Sequence, residues 1–280
     1  MEVKFLFWNV RDRDEKVIGK VLDELLPFDI ICVAETKISD AYFNKHGFNL
    51  IYKLEKTVRG KVMKTMKLYA KTNGFKINCV GFYGNGEIIA SLLEFNKTKI
   101  LLVSVHLISK MSVNNEEKKL KMATRCRNFI ETHEANHNVN GSIIFGDFNA
   151  NPFEKVFTAT EGLFSIDLLK PPVRRINKFP YFINATISQM GHFNYFKDGR
   201  KKPPGSYYFN NKDFDISTDL FWNSLDGLLF RPSLLQEYLN GKELEIISNT
   251  NSYTLYDETT YKIDPAYSDH LPISFTFKFK

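Results

Sequence analysis

The stretch Gly146-Asp147-Phe148-Asn149 closes the apolar run Ile143-Ile144-Phe145. A short, wholly apolar run reads as a strand covered on both faces. Where it stops, a carboxylate and an amide stand two residues apart. In extended backbone, i and i+2 point the same way, so Asp147 and Asn149 can address one point in space. Gly146, without a side chain, lets another group come close. Three more polar residues follow the C-terminal ends of expected strands: Asn9, Glu35 and His106. Asp269 and His270 precede the start of another. Singly, each has an ordinary reading: Asn9 as an Asx turn, Glu35 as a surface carboxylate, His106 as a satisfied core histidine. Together, four oxygen donors (Asn9, Glu35, Asp147, Asp269) and two imidazoles suit a hard cation with acid–base partners, not zinc.

The elements that must position them read as follows. Lys4–Trp8 is an expected strand ending at Asn9. Val17, Ile18, Val21, Leu22, Leu25 and Leu26 recur with helical period, with Asp12 or Asp14 as N-cap and Pro27 as the stop. Ile30–Ala34 is a buried strand ending at Glu35, which makes a βαβ-like start. Ile88–Phe95 and Ile100–Val105 are two further strands, the second ending at His106. Glu116 to about Ala135 forms an amphipathic helix that buries Leu120, Ala123, Phe129 and Ile130, and Asn138–Gly141 breaks it. Residues 153 to about 220 show weak periodicity and many aromatics, the pattern of binding loops. Leu225–Phe230 is a short strand, Ser233–Leu239 a helix, and Leu271–Phe279 the last strand. If all the polar strand-end residues meet, that last strand opposes the others in a mixed sheet, with the site where loops gather.

The chain has 280 residues, of which 43% are hydrophobic and 25% charged. That is an ordinary globular composition with enough mass for a large core. No linker divides the sequence and no repeat is visible, so residues 1–280 read as a single domain. Three cysteines, Cys32, Cys79 and Cys126, have no metal-ligand spacing; together with the short apolar part of Met1–Val10, they point to a reducing, cytoplasmic setting. No stretch approaches membrane-spanning length. A formal charge of +6 favours polyanionic partners, but modestly.

The sequence also resembles the Mg²⁺-dependent superfamily of endonucleases, exonucleases and phosphatases, which includes abasic-site endonucleases and pancreatic-type deoxyribonuclease. The matching pieces are Phe7-Trp8-Asn9-Val10, Asp29 through Lys37, Val103-Ser104-Val105-His106-Leu107, Gly146 through Ala150, Trp222 through Asp226, and Ser268-Asp269-His270-Leu271-Pro272. They occur in the family's order along the whole chain. The resemblance implies an α/β fold, a four-layer α/β/β/α sandwich of two mixed sheets, and metal-assisted phosphoester hydrolysis. It implies that Glu35 binds Mg²⁺ (Mn²⁺ substituting), with Asn9 and Asp269 beside it directly or through water. Asp147 would orient or deprotonate the attacking water, and Asn149 would hold that water or a phosphoryl oxygen. His270, its tautomer held by Asp226, would stabilise phosphate charge or act as base. His106 would sit near the leaving oxygen as donor or acid. The chemistry agrees: phosphodiester hydrolysis needs charge neutralisation, a positioned nucleophile and a proton for the departing alkoxide.

The substrate is less legible. Basic runs from Lys53 to Lys71 (with Lys61 and Lys64), at Arg174-Arg175, and at Arg200-Lys201-Lys202 are expected in loops where they could form a phosphate track; solvated charge is the plainer reading. Tyr207 and Tyr208 could stack on bases or pack a loop onto the core. The expectation is a nuclease acting on DNA or RNA. The alternatives are a phosphatase or phosphodiesterase for inositol phosphates, phospholipid headgroups or nucleotides, and a catalytically silent binding module. A rival motif, His133-Glu134-Ala135-Asn136-His137, fits the zinc-protease pattern, but it lies at a helix end and no third ligand follows at recognisable spacing.

Overall fold

The opening strand, helix and strand form where a continuous apolar run gives way to a 3.6-residue apolar period and then to a second continuous run. In this computed structural model they are β1 (Glu2–Asn9), α1 (Glu15–Leu25) and β2 (Ile30–Ala34). The structure describes residues 1–58, 61–84, 87–108, 116–166, 180–191, 199, 201–209 and 220–280, with backbone only for 56–58 and 61–64. Asp14 caps α1 by accepting from the Lys16 N–H, and Ile18, Val21 and Leu22 form the helix's buried stripe.

The rest of the first half is α2 (Asp40–Lys45), β3 (Asn49–Val58), β4 (Lys61–Ala70), β5 (Lys76–Tyr83), β6 (Ile88–Phe95) and β7 (Thr98–His106). α3 (Glu116–His137), β8 (Ser142–Asp147), α4 (Lys155–Thr158), β9 (Ser165–Ile166) and β10 (Phe182–Asn184) follow. Next come a two-stranded pair, β11 (Tyr207–Tyr208) and β12 (Trp222–Asn223), then β13 (Asp226–Phe230), α5 (Leu235–Leu239) and β14 (Lys242–Ile246). A second small pair, β15 (Tyr256–Asp257) and β16 (Lys262–Ile263), leads into β17 (Ile273–Lys278).

Two mixed sheets result, in the orders β14-β17-β1-β2-β4-β3 and β5-β6-β7-β8-β13-β10-β9. β1 runs parallel to β2 and antiparallel to β17; β8 runs parallel to β7 and antiparallel to β13. The last strand thus opposes β1, as the placement of Asp269 and His270 requires. Helices α1 and α3 cover opposite outer faces, which makes an α/β/β/α sandwich. The α3 side chains Met122, Ala123, Cys126 and Ile130 pack on Ala90, Leu101, Val103 and Ile144. Leu120 and Phe129 are half-buried instead.

Between the sheets lies an aromatic seam. Phe5 stacks on Phe275 at 4.8 Å and meets Phe145 edge-on at 5.9 Å, while Phe230 meets Phe277 at 5.6 Å. Such pairs are worth about 0.5–1.5 kcal/mol each beyond their burial. These phenylalanines come from β1, β17, β8 and β13, the strands that carry or adjoin the polar strand-end residues. The seam therefore fixes the spacing between sheets close to where the chemistry is to be placed.

One expectation is corrected. Lys53–Lys71 is largely a strand pair, β3 and β4, not a loop. Lys67 is buried, donating to Ile38 O and Asp40 Oδ1, both at 2.8 Å. Lys53 pairs with Glu55, and Lys71 lies over the Phe48 ring. The three cysteines are free, and burial pushes the Cys32 and Cys126 thiols up to about 12, so both behave as inert hydrophobes. Among the described residues no helix is long and apolar enough to cross a membrane.

Candidate active site

Strand register lines up the first three groups. His106 pairs across β7–β8 with Asp147, which pairs across β8–β13 with Asp226. Residues paired in register share a face, so an imidazole and two carboxylates form one row on the second sheet. Gly146 permits this pairing. Its φ is +142°, and a Cβ there would lie 2.0 Å from Val105 O, so no larger residue fits. The group that the missing side chain admits is the neighbouring strand's own backbone.

The first sheet brings the remainder. Asn9, at the end of β1, donates from Nδ2 to Asp147 Oδ2 at 3.1 Å. Glu35 follows β2 with a left-handed φ of +47°, and its Oε1 lies 3.3 Å from His106 Nε2. A non-glycine residue held there is a strained position of the kind that concentrates at functional sites. Ser268 ties the last strand in: its hydroxyl donates to Asn9 O and accepts from the His270 N–H. Trp8 Nε1 donates to His270 O at 2.9 Å.

Asp147 is the centre. It is 1% exposed, and its Oδ1 accepts from the Asn149 N–H at 2.8 Å. His106 Nε2 and His270 Nε2 lie 3.7 and 4.0 Å from Oδ2. Asn149, left-handed at φ +51°, donates from Nδ2 to Leu107 O, which sets the orientation of its amide. His270 Nδ1 lies 2.8 Å from Asp226 Oδ2, and the Asp226 N–H is held by Ser206 Oγ.

Burial alone would push the His270 imidazolium down. The Asp226 carboxylate in contact, with Asp147 and Asp269 nearby, outweighs it and holds His270 up at about 10. For Asp226, burial works upward against the pull of His270 and leaves a net rise. The two directions compete for one proton. We assign it to the imidazole, because Nδ1–H donating to a carboxylate satisfies both buried groups.

A hard divalent cation fits this donor set. Asp147, Asp226 and His270 present ligand atoms within 4.8 Å of one another, but Asp226 and His270 are already spent on each other. Glu35, Asp269 and the Asn9 amide oxygen are the better oxygen donors. Asp269 Oδ1 is buried without a hydrogen-bond partner, whereas Oδ2 meets Arg11 at 2.6 Å.

The expected residues Asn9, Glu35, His106, Asp147, Asn149, Asp226 and His270 are thus linked within one pocket, and Asp269 adjoins His270. Tyr207 joins them, with its ring 4.7 Å from His270. Tyr208 packs instead toward Phe221 and Trp222. The side chains of Lys61 and Lys64, and residues Arg174, Arg175 and Arg200, lie outside the described residues. Sequence reasoning missed Arg11 and Ser206, and took in Ser268 only as part of the piece Ser268–Pro272, without a role. Ser206 and Ser268 hold the acid and the histidine through hydroxyls; Arg11, two residues past Asn9, had only its position as a signal.

The rival motif resolves into structure. Glu134 makes a two-pronged ion pair with Arg231, 2.8 Å at each contact, and accepts from Ser142. His133 Nδ1 bonds Phe129 O, and its Nε2 fills the space left by Gly81. No metal-holding group among the described residues includes either His133 or His137.

The fold, two mixed sheets between helices, is similar to that of solved endonuclease/exonuclease/phosphatase family proteins. Among solved structures it is similar to the catalytic domain of human Nocturnin with bound sulfate, at 15% identity and TM-score 0.61, over 100% of this chain and 95% of that one. It is also similar to TDP2 of D. rerio in complex with a single-stranded DNA product, at 15% identity and TM-score 0.55, over 99% of each chain. A third is an endonuclease/exonuclease/phosphatase family protein of Bacteroides thetaiotaomicron, at 13% identity and TM-score 0.57, over 100% of this chain and 98% of that one. No family model matches the sequence, and no curated protein matches it.

Proposed function

We propose that the protein is a divalent-metal-dependent phosphodiester hydrolase acting on nucleic acid, a cytoplasmic enzyme whose catalytic domain spans residues 1–280. The observation that carries this reading is the setting of Asp147: a buried carboxylate braced by Asn9 and the Asn149 amide, with two imidazole Nε2 atoms at 3.7 and 4.0 Å. Glu35, Asp269 and Asn9 would hold Mg²⁺ or Mn²⁺. When bound, the ion supplies charge neutralisation at the phosphoryl oxygens. Asp147 accepts the proton of the attacking water, which Asn149 helps to hold. His270, charged through Asp226, donates from Nε2 to a phosphoryl oxygen. His106 passes a proton to the leaving oxygen. Each such acid or base contributes about 10²–10⁴-fold.

The TDP2 structure holds a DNA product, and Arg11 and Lys37 lie beside this pocket through Asp269 and Asp12; both support nucleic acid. The engagement of Lys53, Lys67 and Lys71 within the fold thins the expected phosphate track. That keeps small phosphate esters, such as inositol phosphates or nucleotides, as the second reading. The test is hydrolysis of plasmid, single-stranded DNA, RNA and inositol phosphates by the wild type and Asp147→Ala, with Mg²⁺ or with chelator, across a salt series. Nucleic-acid cleavage that needs Mg²⁺ and Asp147, with KM rising steeply with salt, is expected. Hydrolysis indifferent to both metal and Asp147 would overturn the mechanism. Selective turnover of inositol phosphates would replace the substrate.

A further inference from the structure

The segment 205–208 touches both members of the Asp226–His270 pair. Gly205 lies against Asn223, where a Cβ would be 2.5 Å from the carbonyl oxygen. Ser206 accepts from the Asp226 N–H, and its own carbonyl accepts from Leu271 N–H. Tyr207 bridges to His270 through the backbone and sets its ring 4.7 Å from the imidazole, tilted by 52°. The ring thus covers one side of His270.

The phenol remains to be explained. Packing against His270 needs only the ring, which a phenylalanine would supply at lower desolvation cost. Instead a half-buried tyrosine has Asp269, Arg11, Asp147 and Glu35 as its nearby charges, and its hydroxyl makes no hydrogen bond among the described residues. An open phenolic donor beside His270, where packing needs only the ring, is available to an acceptor on the ligand. Of the groups that enter this pocket under the phosphodiester reading, on which the inference rests, the non-bridging phosphoryl oxygens are pure acceptors, and their charge redistributes during displacement.

We propose that Tyr207 is a catalytic residue whose hydroxyl donates a hydrogen bond to a non-bridging oxygen of the bound phosphodiester, from the side of His270 that its ring covers. Its contribution is made in the transition state, so it falls on kcat rather than KM.

The test compares the wild type, Tyr207→Phe and Tyr207→Leu on two probes, bis(4-nitrophenyl) phosphate and a fluorescein-labelled single-stranded 20-mer DNA, in Mg²⁺. Melting temperature is measured alongside. Tyr207→Phe keeps the ring on His270 and removes one donor to a charged acceptor. It should lower kcat about ten- to hundredfold while KM stays within about threefold and the melting temperature holds. Loss in Tyr207→Leu with wild-type kcat in Tyr207→Phe would overturn the donor role and leave the ring as a positioning element. A wild type inactive on both probes would overturn the phosphodiester reading along with this inference; a wild type active on either, with Tyr207→Phe within twofold of it, would overturn this inference alone.

Discussion

Replacing Asp226 by Asn removes one charge from a site that is 1% exposed and changes almost no volume. Its Oδ2 lies 2.8 Å from His270 Nδ1, so three effects follow. A charge-assisted hydrogen bond becomes a neutral one, a loss of about 1–2 kcal/mol. Burial then acts on His270 opposed only by the more distant Asp147 and Asp269 carboxylates, and its pKa falls from about 10. The asparagine amide can also turn its NH₂ toward the ring, which forces the wrong tautomer; in a serine-protease triad the equivalent change costs about 10⁴ in kcat. We expect kcat at pH 7.5 to fall by two to four powers of ten. Asp226→Asn and His270→Ala combined should be little worse than His270→Ala alone, because the two act as a unit.

Stability supplies an independent check on the same pair. A histidine whose folded pKa lies above its unfolded value contributes stability that is fully present below about 6.5. That stability is lost as pH rises through about 10. The wild type should therefore lose melting temperature between pH 7 and 10, and Asp226→Asn should lose less over the same interval, starting from a lower value. Urea melts at each pH measure this, with the buried pair contributing on the order of 3 kcal/mol. An Asp226→Asn enzyme with wild-type kcat, or one with the wild-type pH dependence of stability, would refute the pairing argument.

Gly146→Ala should lower the melting temperature and cut activity at least a hundredfold, because a Cβ 2.0 Å from Val105 O must part β7 from β8; circular dichroism melts with a hydrolysis assay check it. Glu134→Gln should destabilise by about 2–4 kcal/mol, since it disrupts a largely buried pair with Arg231. It should leave kcat within twofold, which separates the helix-end motif from the catalytic site. Asp40 is held below its ordinary value by Lys67 and then Tyr69. Its stabilisation is thus present above about pH 4 and lost as pH falls through the lowered folded value. Asp40→Asn should flatten the acid limb of a melting-temperature profile between pH 2 and 5.

What the sequence made legible follows from what repeats in it. Buried strands write themselves as Ile30–Ala34 and Ile143–Phe145, and the residues that follow must face the ends of the sheets. Hence Asn9, Glu35, His106 and Asp147 could be picked out before their neighbours were known. The ordering of the strands within the sheets could not, because register lives in cross-strand pairs such as His106 with Asp147. Side-chain burial against periodicity was also hidden. Lys67 alternates like a surface lysine but is buried because Asp40, Ile38 O and the α2 region satisfy it. Whether Tyr207 stacks on a base or packs a loop could not be read from the sequence, because composition says nothing about which ring faces which; in the fold its ring lies 4.7 Å from His270. The pattern His133–His137 is set aside on its helix-end position, since helical spacing is cheap to match; the contact to Arg231 then shows where Glu134 is spent.

The proposed chemistry requires one pocket, built from both ends of the chain, to grip a divalent ion. Diffraction from crystals soaked in Mn²⁺, recorded near the manganese edge, tests it most directly. An anomalous peak bounded by Glu35 and Asp269, abolished in Glu35→Gln, is the predicted result. A peak at His133 and His137, or none in the pocket at saturating Mn²⁺, would contradict it.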